Sequence, residues 1–229
     1  MKFLTYIKYF FFLFINWDAR IAWYMIKQEI KGERKFGINT TGADELRKLD
    51  KQGIDISHAT IYMPVSYTLL EEIFNQLVSN KQQTTNNKPF NHFLDLGCGK
   101  GRALCVAAHK GFKQVTGLDF SKALCNKATE NLTKTKQQIS TFNFKVINND
   151  AYYFDIPEDV DCIFLFNPFD EFIMSAVVNN ICTSLQYSPR KINIIYVNPL
   201  HKELFLKAGF TETWHSKKMR YIEAVILEN

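Results

Sequence analysis

The stretch Phe93-Leu94-Asp95-Leu96-Gly97-Cys98-Gly99-Lys100-Gly101 decides how this chain folds. It is an apolar run that enters a turn containing three glycines, and an apolar helical pattern follows the turn as far as His109. Glycine is needed where the backbone takes a positive φ or where a ligand approaches the main chain closely. The first N–H groups of a helix are free to bind an anion. The stretch therefore predicts a strand, a ligand-binding turn and a helix.

Strands and helices alternate from this point onward. Because short apolar strands alternate with helical segments, we expect a parallel sheet covered on both faces. The predicted strands are His92 to Leu96, Gln114 to Asp119, Asn143 to Asn148, Cys162 to Phe166 and Ile192 to Asn198. The predicted helices are Gly101 to His109, Lys122 to Thr133, Phe172 to Leu185 and Lys202 to Ala208. Phe210 to Ser216 and Arg220 to Leu227 should pair as an antiparallel edge hairpin. The predicted fold class is α/β, a doubly wound, mostly parallel sheet of seven strands with a helical N-terminal extension.

An acidic residue follows the glycine turn at a distance typical of ribose recognition. Asp119 ends the second predicted strand, where a carboxylate can meet sugar hydroxyls. A dinucleotide-binding turn requires Gly or Ala as the sixth residue counted from Gly97, and that position is Arg102. The spacing therefore counts against a nicotinamide-dependent oxidoreductase.

From Phe90 to the C-terminus, the sequence resembles the class I methyltransferases that use S-adenosylmethionine. Asp95 to Gly101 resembles their first motif, and Asp119 resembles their ribose-binding acid. Asp150-Ala151 resembles the pair that contacts adenine, and the alternative for Asp150 is a solvated loop carboxylate. Tyr62 is a candidate cap over the cofactor, with an ordinary half-buried tyrosine as the alternative. The residues that the resemblance implies for binding S-adenosylmethionine are Tyr62, Asp95, Gly97, Cys98, Gly99, Gly101, Asp119, Phe120, Asp150, Ala151 and Asn167.

The expected catalytic residues are Asn167, Pro168 and Phe169, which resemble the family's catalytic loop at the end of the fourth strand. The Asn167 side-chain oxygen and the Pro168 carbonyl can accept hydrogen bonds from an amine. Asn and Pro are also common in plain turns. The loop lacks the second proline that is usual in enzymes methylating adenine, cytosine or glutamine nitrogens, which weakens a transfer of their substrates to this chain.

The N-terminal segment is aromatic and basic. Its apolar residues recur at helical spacing through the first 26 residues, which predicts a helix that is too short to span a membrane. Either it packs on the body or it lies at a lipid surface as an interfacial anchor. Further helices are expected near Ala43 to Lys51 and from Val65 to Val78. We divide the chain into an extension, residues 1–80, and a methyltransferase domain, residues 81–229.

Composition narrows the function classes. The net charge of +5 is concentrated in residues 1–36, with seven basic and three acidic residues, so the body lacks the basic surplus expected of a nucleic-acid enzyme. The five cysteines form no C-x-x-C pair and the five histidines lack ligand spacing, so no metal site is predicted and a reducing cytoplasm is favoured. The leading hypothesis is methyl transfer to an amine of a protein side chain or small molecule. An adenine methyltransferase of nucleic acids and a non-catalytic, membrane-tethered binding module are the alternatives.

Overall fold

The computed structural model of the chain describes residues 2–42, 63–83, 90–218 and 222–229. The helix expected near Ala43 to Lys51 and the candidate cap Tyr62 lie outside the described residues. The helices are α1 (Lys2–Asn16), α2 (Ala19–Phe36), α3 (Tyr67–Gln83), α4 (Arg102–His109), α5 (Lys122–Gln138), α6 (Glu171–Tyr187) and α7 (Lys202–Lys207). The strands are β1 (His92–Leu96), β2 (Gln114–Asp119), β3 (Asn143–Asn148), β4 (Cys162–Phe166), β5 (Asn193–Val197), β6 (Thr211–Lys218) and β7 (Ile222–Glu228).

One sheet holds all seven strands in the order β3-β2-β1-β4-β5-β7-β6. The first five pair in parallel, whereas β7 runs antiparallel to both β5 and β6. The predicted fold class is therefore confirmed, including the C-terminal hairpin. The strand order reverses between β1 and β4, and open α/β sheets bind ligands at the carboxyl ends of the strands beside such a reversal.

The hydrophobic core has two parts, one on each face of the sheet. α3, α4 and α5 cover one face, and α6 and α7 cover the other. Phe36 and Ile38 pack in the same cluster as Phe93 of β1. Residues on both sides of position 80 therefore share one core, and the division of the chain at that position stays a proposal.

The N-terminal segment forms two helices, so the prediction of one helix through residue 26 was wrong. Asp18 takes an extended conformation and its carboxylate accepts a hydrogen bond from the Ile21 N–H at 2.8 Å, which starts α2. The apolar spacing continues across the break because α1 and α2 pack together through residues on both helices. Within the described part of the chain, no helix combines the length and the apolar character needed to cross a membrane.

Candidate active site

The glycine turn, residues 97–101, connects β1 to α4. Gly97, Gly99 and Gly101 have φ values of 84°, 54° and 78°, a left-handed conformation that L side chains rarely adopt. The main-chain N–H groups of Gly97 and Cys98 both donate to the Leu118 carbonyl of β2 at 2.9 Å. The turn is thereby tied to the end of the neighbouring strand, and the three glycines predicted from the sequence are used for their backbone.

Cys98 contributes to the turn through its main chain. Its side chain is buried against Gly117, where an added Cβ would lie 2.8 Å from the Cys98 sulfur. Burial, together with the nearby Asp119 and Asp95, raises the pKa of the Cys98 thiol well above its usual range. The thiol therefore stays protonated and is a packing group, not a nucleophile.

Asp119 stands at the end of β2 with both carboxylate oxygens in hydrogen bonds. Oδ2 accepts from the Gly99 N–H and Oδ1 from the Ser121 N–H, each at 2.8 Å. The residue is only 5% exposed, and burial raises its pKa to about 6 in spite of these two bonds. Each carboxylate oxygen has a further lone pair. Asp119 is therefore fixed by the glycine turn and still has capacity for ligand hydroxyls.

Asp95 is a second buried carboxyl group beside the turn. It is 3% exposed. Its pKa is raised well above the ordinary value, mainly by burial and in addition by the nearby Asp119 carboxylate. The two carboxyl groups therefore resist being ionised together, and Asp95 keeps its proton to a higher pH than a solvated aspartate.

The loop after β3 holds Asp150 and Ala151, the pair that the resemblance associates with adenine. The Asp150 side chain is exposed and accepts a hydrogen bond from the Tyr152 N–H at 2.9 Å, starting a short 3₁₀ helix from Ala151 to Tyr153. Asn148 braces the adjacent strand, since its amide donates to the carbonyls of Asp119 at 3.0 Å and Phe120 at 2.8 Å. Sequence reasoning did not find Asn148, although a polar residue ending a strand next to Asp119 was a usable signal.

The Asn-Pro-Phe loop, residues 167–169, follows β4 and lies against the glycine turn. A Cβ built on Gly97 would come within 2.6 Å of the Pro168 Cβ, so this loop and the turn are in direct contact. Asn167 has φ 37°, and the Tyr196 hydroxyl donates to its side-chain oxygen at 3.4 Å. Burial raises the pKa of Tyr196 to about 12, so this hydroxyl remains a hydrogen-bond donor. Phe169 is half-buried and packs on the core beneath the loop.

A second Asn-Pro pair, Asn198-Pro199, follows β5, and sequence reasoning missed it. Asn198 has φ 50°, and the register pairs Phe166 with Val197, so Asn167 and Asn198 leave neighbouring strands side by side. Positive φ is uncommon outside glycine and clusters at functional sites. The repeat of Asn-Pro after two apolar strands was visible in the sequence and marks this edge of the site.

A buried ion pair joins α2 to the first residue of α4. The Arg102 guanidinium binds Glu29 with two hydrogen bonds, from Nη1 to Oε1 at 2.7 Å and from Nη2 to Oε2. Its Nε donates to Thr40 Oγ1 at 2.8 Å, its Nη1 also donates to the Val65 carbonyl at 2.7 Å, and its Cζ lies 4.1 Å from the centre of the Tyr67 ring. Arg102 follows Gly101 directly, so the glycine turn is anchored to the N-terminal helices.

Glu33 forms the second half of this anchor. Its Oε1 accepts from the N–H groups of Thr40 and Thr41 at 2.7 and 2.8 Å, and its Oε2 accepts from the Tyr6 hydroxyl at 2.7 Å. Burial opposes ionisation of Glu33, but the hydrogen bonds from Thr41, Tyr6 and Thr40 lower its pKa on balance. The Lys100 ammonium of the glycine turn donates to the Thr41 carbonyl at 3.2 Å. Two successive residues of the chain, Thr40 and Thr41, thus connect α2 to the turn.

Among the described residues there is no group of three or more His, Cys, Asp or Glu side chains arranged to hold a metal ion.

The fold is the Rossmann-like architecture of class I methyltransferases. It has a seven-strand sheet whose strand β7 runs antiparallel to its neighbours, a glycine turn after β1 and an acid at the end of β2. Residues 93–187 match the family model described as "Methyltransferase domain". No curated protein has a sequence that matches the chain.

Solved structures show the same fold at low sequence identity. Magnesium protoporphyrin IX methyltransferase from Synechocystis PCC 6803, crystallised with bound SAM, is 17% identical over 70% of this chain and 77% of its own, with a TM-score of 0.52. The same enzyme with bound SAH is 15% identical over 73% of this chain and 88% of its own, with a TM-score of 0.51. The PH0226 protein from Pyrococcus horikoshii OT3 is 17% identical over 78% of this chain and 97% of its own, with a TM-score of 0.51.

Proposed function

We propose that the protein transfers a methyl group from S-adenosylmethionine to an amine of a protein side chain or of a small molecule. The observation that carries the proposal is the contact between the glycine turn and the Asn-Pro-Phe loop at Gly97 and Pro168. A site for a methyl donor and a site for an acceptor must adjoin each other, since the reacting atoms have to meet at short range along one axis.

The residues around the glycine turn suit the separate parts of S-adenosylmethionine. The turn and the start of α4 offer main-chain N–H groups to the amino-acid carboxylate. Asp119 offers carboxylate oxygens to the ribose hydroxyls, and Asp95, Phe120 and the pair Asp150-Ala151 complete the proposed pocket, with Tyr62 as a proposed cap. When bound, S-adenosylmethionine supplies a methyl group on a sulfonium, whose sulfur keeps the electron pair of the broken C–S bond as the acceptor nitrogen bonds to carbon.

Positioning is the main contribution of the chain's own residues to this reaction. The Asn167 side-chain oxygen and the Pro168 carbonyl would accept hydrogen bonds from the acceptor amine, which turns the nitrogen lone pair towards the methyl group. The Tyr196 hydroxyl holds the Asn167 side chain in place through its bond at 3.4 Å. Phe169 would contact the acceptor from the core side of the loop.

Calorimetry separates this proposal from the alternatives. Titration with S-adenosylmethionine should release or absorb heat, and titration with NAD should not. Asp119→Ala should weaken binding of S-adenosylmethionine, whereas Asn167→Ala should mainly slow turnover of an acceptor found by labelling a cell lysate. A stronger response to NAD would favour an oxidoreductase. Binding without any labelled product would favour a non-catalytic module, and label in nucleic acid would favour the adenine methyltransferase.

Affinity for S-adenosylmethionine should depend on pH through Asp119. Ribose hydroxyls donate to the ionised carboxylate, so binding should strengthen as the pH rises through the pKa of about 6 and level off near neutrality. At one pH unit below the pKa, only about a tenth of the groups are ionised, which predicts roughly tenfold weaker binding.

Asp119→Asn is the matched control for this pH dependence, because the amide keeps the size of the side chain and does not titrate. Its dissociation constant, measured by calorimetry across the same pH range, should lack the step near pH 6. A step of equal size in the wild type and in Asp119→Asn would contradict the assignment.

We also propose a cytoplasmic location at the inner face of the membrane. The support is chemical: the five cysteines are free and S-adenosylmethionine is a cytosolic metabolite, while the basic N-terminal helices suit contact with an acidic lipid surface.

A further inference from the structure

The N-terminal hairpin, formed by α1 and α2, has one buried side and one exposed apolar side. The buried side is closed by Tyr9, Leu13, Ala22, Met25 and Ile26. On the opposite side of α1, Leu4 precedes Phe11 by seven residues, and Phe14 and Ile15 follow Phe11 by three and four, so these side chains share one face. Phe3 and Ile15 are each 77% exposed.

Aromatic contacts join this face of α1 to α2. The Phe10 ring lies 5.7 Å from Phe11, 6.3 Å from Phe14 and 5.3 Å from Trp23 of α2, measured between ring centroids. Trp23 is 58% exposed. Of the twelve large hydrophobic residues that are exposed in the described part of the chain, seven belong to this outer face: Phe3, Leu4, Phe11, Phe14, Ile15, Trp23 and Ile30. Exposed apolar side chains are therefore concentrated on the N-terminal hairpin, and ring contacts join part of them, Phe11, Phe14 and Trp23, through Phe10.

The exposed charged side chains of the N-terminal hairpin itself are almost all basic. Glu29 and Glu33, two of the three acidic residues in the first 36, are buried and bind Arg102, Thr40 and Thr41. The third, Asp18, caps α2. The basic side chains that remain exposed beside the outer face are Lys8, Arg20, Lys27, Lys31 and Arg34. The fold thus directs acids inward and leaves a cationic rim outside.

We propose that the outer face of the N-terminal hairpin docks on an anionic lipid bilayer. Exposed Phe, Leu, Ile and Trp side chains would enter the boundary between headgroups and acyl chains, and the cationic rim would bind acidic headgroups. This inference builds on the proposed inner-face location and is independent of the methyl acceptor. Docking would also hold the glycine turn at a fixed position relative to the bilayer. Arg102, next to the turn, binds Glu29 of α2, and Lys100 of the turn binds the Thr41 carbonyl.

Charge and apolar character favour a lipid bilayer as the partner of the outer face over a second copy of the chain or a nucleic acid. A second copy of the chain would bring one cationic rim against another, which opposes pairing of the two outer faces. Nucleic acid would satisfy the cationic rim but would leave the aliphatic side chains of Leu4, Ile15 and Ile30 without a partner.

Vesicle flotation of the full chain tests the proposal without any methyl donor or acceptor. The protein should float with vesicles made of equal parts phosphatidylcholine and phosphatidylserine and much less with phosphatidylcholine alone. Arg20→Gln/Lys27→Gln should bind the anionic vesicles about 25-fold more weakly, at about fivefold for each basic residue near the surface. Phe11→Ser/Phe14→Ser should lose most of the binding, because these exposed side chains supply apolar contact area.

Two matched variants control for general effects of charge and surface hydrophobicity. Lys113→Gln/Lys134→Gln removes exposed basic residues from the body, and Tyr187→Ser removes a side chain that is 81% exposed. Both should float like the wild type, and binding of S-adenosylmethionine, measured on the same samples, reports separately on the proposed function. Equal flotation with both vesicle types would overturn the proposal, as would a dimer in sedimentation that Phe11→Ser/Phe14→Ser dissolves.

Discussion

Glu29→Ala should lower the free energy of unfolding by about 3–5 kcal/mol, because it leaves the buried Arg102 guanidinium without its counter-ion. Glu29 is fully buried and Arg102 is 3% exposed, so water cannot replace the lost carboxylate without opening the core. For a chain of this size, the midpoint of thermal unfolding should fall by about 10 °C. Chemical denaturation followed by circular dichroism measures the change directly.

Two further variants make this stability prediction specific to the buried charge. Glu71→Ala removes the carboxylate of the exposed Lys35–Glu71 pair and should cost at most about 1 kcal/mol. Glu29→Met/Arg102→Met removes both buried charges and should recover much of the stability lost in Glu29→Ala. If Glu29→Ala were as stable as Glu71→Ala, the ion pair would not anchor the N-terminal hairpin.

Gly97→Ala should reduce kcat/KM by about a hundredfold or more, because its new methyl group would lie 2.6 Å from the Pro168 Cβ. Pro168 and its neighbour Asn167 would have to move away from the glycine turn, and a displacement of about 1 Å at a reacting centre can cost that much in rate. The positive φ of 84° adds about 1–2 kcal/mol of backbone strain. Steady-state kinetics on the labelled acceptor and calorimetry with S-adenosylmethionine measure the two effects.

Gly111→Ala separates the steric contact from the backbone strain. Gly111 has φ 95°, and a Cβ added there would meet no atom within 4 Å. Gly111→Ala should therefore lose a similar amount of stability from strain and keep normal kinetics. Equal kinetic losses in Gly97→Ala and Gly111→Ala would show that the contact between the turn and the Asn-Pro-Phe loop is not needed for activity.

The sheet could be predicted from the sequence because its signals are local. The apolar runs at β1 and β4, which end at the glycine turn and at Asn167, fix the strand ends within a few residues. Helix lengths were less well determined. α5 continues to Gln138, beyond the predicted Thr133, because polar residues with good helix propensity extend it and the Thr135 hydroxyl bonds to the Asn131 carbonyl at 3.0 Å.

The anchor of the glycine turn could not be predicted in the same way. In the sequence, Arg102 served only as evidence against a dinucleotide-binding turn, and its partner Glu29 lies 73 residues upstream. The partner of a buried charge depends on how distant helices pack, which no local pattern records. The break before α2 was more accessible, since Asn16 and Asp18 are residues that commonly end or begin helices.

The separation of Glu29 and Arg102 along the chain also affects folding during synthesis. Glu29 leaves the ribosome 73 residues before Arg102, so for a time α2 carries the Glu29 carboxylate without the guanidinium that binds it in the folded protein. Long-range contacts of this kind form late and slow the folding of a domain. The nascent N-terminal segment therefore has to keep the Glu29 carboxylate hydrated until α4 is synthesised, and its final packing is coupled to completion of the region that follows β1.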